Sequence, residues 1–139
     1  MRSVSITILL TGILFLAVSS CATVSKTPLA SGEVRLISMD AVGAGVEANA
    51  AFAVNIFFEA AGNPMIKRAC FYELRQWAYC SDVSDASHFT LGTKRGFQVR
   101  LPSIGPGSHR VECYAEYIRN GEIQRTNVVF TQIIAGNQE

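Results

Sequence analysis

The sequence predicts an all-β domain, and three observations carry that expectation. From residue 33 onward apolar and polar side chains alternate with period two, and no stretch holds a helical stripe beyond about ten residues. Turn residues recur at short intervals, as Gly43, Gly62-Asn63-Pro64, Gly105-Pro106-Gly107 and Asn120-Gly121. The chain has 139 residues, 49% of them hydrophobic, which suits one core and is too short for two. Seven or eight short antiparallel strands at this spacing imply an antiparallel β-sandwich, because a single sheet would leave its apolar face wet.

A first strand is expected over residues 34–42. A second covers residues 51–60, with Phe52, Val54, Ile56 and Phe58 on one face and Ala53, Asn55, Phe57 and Glu59 on the other. A third spans 66–74, and residues 77–83 pair back on it across Arg75-Gln76. The polar stretch 82–93 reads as a loop with a short edge strand at 88–91. Phe97, Val99 and Leu101 alternate with Gln98 and Arg100 before Pro102 ends that strand. Residues 110–118 and 123–134 form the strongest hairpin, joined through Asn120-Gly121, a pair suited to a turn in which both central residues need positive φ.

Ahead of this domain, Met1-Arg2 precedes an apolar run over residues 6–18, relieved only by Thr7, Thr11 and Gly12. Such a run has the form of a secretory signal and falls short of the roughly 20 apolar residues of a spanning helix. Its end, Val18-Ser19-Ser20-Cys21, resembles the lipobox of bacterial lipoproteins, with valine in place of the commoner leucine. The resemblance implies lipidation of Cys21 by a diacylglyceryl group, cleavage before it, and acylation of the new amine. Two or three acyl chains make membrane anchoring durable. Ala22, where an aspartate would signal retention, implies the outer membrane facing the periplasm. The expected organisation is a signal peptide over residues 1–20, a lipidated N-terminus and tether over 21–32, and a sandwich over 33–139.

The run from Pro106 to Tyr117, with the tight turn and last strand after it, resembles the penultimate and final strands of immunoglobulin-like and fibronectin-type sandwiches. The resemblance implies an architecture and no binding site. The sequence departs from antibody domains in having no cysteine on the second strand, Val111 where a corner tyrosine would stand, and Trp77 beyond the third strand.

Besides Cys21 there are Cys70, Cys80 and Cys113, which allow one disulfide and one leftover thiol in an oxidising compartment. Cys70 with Cys80 is favoured, since both flank the hairpin of the third strand. Cys70 with Cys113 is the competitor. The leftover Cys113 reads as buried and inert, because His109 would stand about 13 Å along the same strand face. His88 reads as solvated, and neither histidine suggests a metal site. Glu112 and Glu116 would lie about 13 Å apart on a solvated face, too far for a glycosidase pair.

Tyr72, Trp77, Tyr79 and Tyr114 form a possible aromatic binding platform. Twelve basic against eleven acidic residues lack the footprint of a nucleic-acid binder, and nothing calls for a cofactor. The expectation is a non-catalytic envelope lipoprotein that binds or assembles another envelope protein. The alternatives are a small periplasmic enzyme, or a hydrolase inhibitor presenting residues 82–93 from the membrane.

Overall fold

The computed structural model describes residues 27–43, 45–74 and 76–136 of the chain. Cys21 and the whole of the signal peptide expected over residues 1–20 lie outside the described residues. Within them the protein is all-β. In chain order its strands are β1 (Val34–Ala41), β2 (Val46–Glu47), β3 (Phe52–Ala60), β4 (Met65–Glu73), β5 (Trp77–Asp82), β6 (His88–Leu91), β7 (Lys94–Leu101), β8 (Gly107–Arg119), β9 (Glu122–Arg125) and β10 (Val129–Gly136). A short 3-10 turn, Asp85–Ser87, links β5 to β6.

The strands form two sheets. The first has the order β1-β3-β7-β6, and the second the order β2-β10-β8-β4-β5, with β9 also paired to β8. Alternate residues from both sheets enter one hydrophobic core: Met39, Val54, Ile56, Phe97 and Leu101 from the first, and Phe71, Val111, Cys113 and Ala115 from the second. Burying each large apolar side chain contributes about 1.5–3 kcal/mol, which is why the period-two pattern fixes which face turns inward.

Three expectations need correction. Ten strands form among the described residues, where seven or eight were expected, and the pairing is not purely antiparallel, since β2 runs parallel to β10. The strand expected over residues 123–134 is two strands. It breaks because side chains there take over backbone bonds. The Ala115 N–H donates to Thr126 Oγ1 at 2.9 Å, and the Thr126 hydroxyl donates to the Asn127 carbonyl at 2.8 Å. Asn127 then reaches across to the first sheet, accepting from the Leu36 N–H at 2.9 Å and donating to the Leu36 carbonyl at 3.0 Å. Leu36 lies where the register of β1 against β3 slips, so one side-chain amide closes this border between the sheets.

The turn between β8 and β9 takes the expected form, with φ of 51° at Asn120 and 76° at Gly121. Gly96 on β7 has a different cause. A Cβ there would stand 2.6 Å from the ring of Phe89 on neighbouring β6, so glycine leaves room for that ring against the outside of the first sheet. Phe89 in turn meets Phe57 edge-on, with centroids 5.7 Å apart, and Phe57 is buried although it faces away from the core.

The end of the expected tether is fastened to the body. Arg119 Nε donates to the Ser31 carbonyl at 3.0 Å, and the Gly32 N–H donates to the Ala61 carbonyl at 3.1 Å. The chain therefore joins the domain where β3 and β8 end and β4 begins.

Candidate functional site: the outer face of the second sheet

Strand register sets out this face in rows. At the end where the chain joins, Met65, Ile118 and Ile123 stand side by side on β4, β8 and β9. Met65 is 59% exposed and Ile123 65%. Next come Arg68, Glu116 and Arg125. A register slip between Ile66 and Arg68 separates two residues that simple alternation would put on one face, so Ile66 enters the core while Arg68 turns outward. Arg68 Nε reaches Glu116 Oε2 at 2.7 Å, and Arg125 Nε reaches Glu116 Oε1 at 3.5 Å. The hydrogen bond from Arg68 holds the Glu116 carboxyl below its ordinary range. Glu116 was expected on a solvated face and is instead a buried, doubly paired carboxylate.

The middle row carries the disulfide Cys70–Cys80, formed directly across β4 and β5, with Tyr114 beside Cys70. Alternation explains why Cys113 is left out. It lies opposite Phe71, whose side chain points inward, whereas Cys70 points outward. Burial pushes the Cys113 thiol up to about 12, which keeps it protonated and inert.

Beyond the disulfide, Tyr72, Glu112 and Phe130 align. Tyr72 and Tyr114 hold their rings 6.4 Å apart. Arg110 lies over the Phe130 ring at 3.8 Å, and Arg125 over Tyr114 at 4.7 Å. Phe130 remains 56% exposed and Ile134 71%.

The expected four-residue platform is therefore divided. Tyr72 and Tyr114 share the outer face, but Trp77 and Tyr79 pair with Glu73 and Phe71 and pack against the core on the other side. Trp77 belongs instead to a polar cluster at the far end. Its Nε1 donates to Glu73 at 3.1 Å, and His109 Nδ1 donates to the same carboxylate at 2.9 Å. His109 Nε2 donates to the Gly105 carbonyl at 2.8 Å. Both ring nitrogens thus face oxygen atoms, an arrangement that favours the protonated imidazole. The bond to Glu73 raises the His109 pKa.

His88 is exposed, as expected, although its ring also rests 5.9 Å from Phe58 and Phe97. It lines an open cleft of about 500 Å³ with Phe58, Met65, Phe89 and Arg95. The Arg95 guanidinium there is held by the Gly62 carbonyl at 2.9 Å and Asn63 Oδ1 at 3.2 Å. Among the described residues no cluster of three or more His, Cys, Asp or Glu side chains is placed to hold a metal, and no helix is long and apolar enough to cross a membrane.

Sequence reasoning missed the Arg110–Phe130 stack, the Glu73–His109–Trp77 cluster and the apolar row at the near end. A signal for the last was present. Ile118 and Ile123 lie symmetrically about Asn120-Gly121, as do Glu116 and Arg125, so the tight turn alone implies both pairs.

No protein-family model matches the chain. No curated protein matches it either. Among solved structures, the crystal structure of BslA, a bacterial hydrophobin, aligns with 81% of this chain and 100% of its own at 9% identity and a TM-score of 0.37, a likeness too slight to carry an argument.

Proposed function

We propose that the chain is a lipid-anchored, non-catalytic module of the bacterial cell envelope, held at the outer membrane through Cys21 and facing the periplasm, which binds a protein partner. The observation that carries this reading is the far half of the outer face, where Arg110 lies over a half-exposed Phe130 beside the Tyr72–Tyr114 pair. Tyrosine, phenylalanine and arginine are enriched at protein interfaces. Rings already braced by a guanidinium or by each other lose little freedom on docking.

An immunoglobulin-like architecture is part of the proposal. The order β1-β3-β7-β6 corresponds to strands A, B, E and D of that fold, and β10-β8-β4-β5 to G, F, C and C′. Cys113 holds an inward position on the F-like strand, while the bridge ties the C-like and C′-like strands. Fold alone does not fix function, so the binding reading rests on the surface.

The test places a photoreactive amino acid at Phe130 in intact cells, with Asp40 on the other sheet as control. One discrete protein adduct at 130, lost on Arg110→Glu and absent at 40, is the expected result. No adduct at 130, or equal adducts at both positions, overturns the reading. Mass spectrometry of the mature N-terminus checks the anchor separately.

A further inference from the structure

We infer that the near end of the outer face, the apolar row Met65–Ile118–Ile123, is a membrane-docking surface that rests on the lipid bilayer. The inference rests on the anchored reading above and adds an orientation to it.

The place where the chain joins the body carries the argument. Ser31 is pinned by Arg119 and Gly32 by Ala61, so the body is held from the end that displays Met65 and Ile123. Ser31 stands ten positions after Cys21. Those ten steps span no more than about 36 Å when fully extended, so an anchor at Cys21 holds this end within that distance of the lipid. The opposite end, at Leu74, stands about 30 Å further along the strands.

Composition fits that position. Met65 and Ile123 are large, apolar and mostly exposed, in one row that crosses three strands. The adjoining row sets the Arg68 and Arg125 guanidinium groups around the nearly buried Glu116, with exposed Asp82 opposite Arg68 on β5, so its formal charges balance. Exposed Lys67 at the bulge adds one positive charge and Glu122 one negative. Exposed apolar side chains beside charged groups of both signs suit the boundary between acyl chains and headgroups.

Leu74 supplies an internal control. It is 75% exposed, apolar like Ile123, and at the other end of the same sheet. The experiment uses the full chain purified in its mature, acylated form and reconstituted into vesicles of phosphatidylethanolamine with a minority of phosphatidylglycerol. An environment-sensitive dye is attached at Ile123→Cys, Met65→Cys or Leu74→Cys, the buried Cys113 and the bridged pair being protected from it. Quenching by bromine-labelled lipid is expected to be several-fold greater at 123 and 65 than at 74. It should fall when Ile123→Asp accompanies the dye at 65. Equal quenching at all three positions, or water-like emission at both 123 and 65, overturns the docking surface. A protein without acyl chains at Cys21 overturns the anchored reading and this one with it, whereas an acylated protein that floats with the vesicles while 123 stays in water overturns the docking alone.

Discussion

The two ends of the second sheet each bury a carboxylate, and they hold it in different ways. At the near end Glu116 is gripped by Arg68 and Arg125, whose guanidinium groups remain charged at any pH the protein meets. At the far end Glu73 is gripped by His109 and Trp77, and the charge on His109 depends on pH. The arginines are half in water, whereas the imidazole side chain is only 13% exposed. The comparison teaches that similar burial can yield permanent polarity at one end and conditional polarity at the other. The end proposed to meet lipid keeps a constant charge, and the end that titrates lies beside the face proposed to meet a partner.

The largest expected effect comes from the disulfide between the two ends. Cys70→Ala with Cys80→Ala should cost about 2–3 kcal/mol in urea unfolding, through loss of a short-loop crosslink. The loss should be unequal. Hydrogen exchange should quicken in β5, an edge strand fastened by the bridge, and leave β9 nearly unchanged, because β9 depends on its tight turn and on Glu116. Equal acceleration in both strands would mean that the two ends unfold as one unit.

The carboxylates come next. Glu73→Gln should cost about 2 kcal/mol, because it replaces one of the two oxygens facing a largely buried imidazole and an indole N–H by an NH2 donor. Glu116→Gln should cost less, because water can solvate the arginines it releases. A larger loss at Glu116 would reverse the comparison.

A smaller effect is expected at Cys113, in the inward row opposite Phe71. Cys113→Ala should cost about 1 kcal/mol of packing. The thiol should alkylate only as fast as the domain opens, and rapid reaction in the folded protein would contradict its burial.

How much of this was legible depends on whether the physics was local. Phe52, Val54, Ile56 and Phe58 alternate within one strand, and the structure buries all four. Cys70 and Cys80 flank one hairpin, and the structure joins them. Asn127 could not be read, since its partner Leu36 is 91 residues away and the strand around it looks continuous by composition. Trp77 and Tyr79 were misplaced for a related reason. Aromatic content says that a residue will be covered, while register against β4 decides on which face. The slip between Ile66 and Arg68 likewise reverses a face without a mark in the sequence. The Glu73–His109 pair joins the end of β4 to the start of β8, 36 residues apart, and no periodicity signals it.

The smallest effect separates the two ends by pH. The His109 pKa is raised above its ordinary value, so the folded protein holds that proton more tightly than the unfolded chain does. Its contribution is complete below the ordinary histidine value of about 6.5 and is lost as pH rises through the raised folded value. Glu116 runs the other way. Its carboxyl is lowered, so its contribution is complete above the ordinary value of about 4.3 and is lost as pH falls through the lowered one. Urea midpoints measured from mildly acidic to mildly alkaline pH should therefore decline on the alkaline side in the native protein. His109→Gln should remove that decline, Glu73→Gln should weaken it, and Glu116→Gln should leave it intact. His88→Gln serves as the control, since that ring is exposed and reaches no carboxylate in the described structure. An alkaline decline that survives His109→Gln would show that the far end owes its order to packing around Trp77 rather than to the imidazolium.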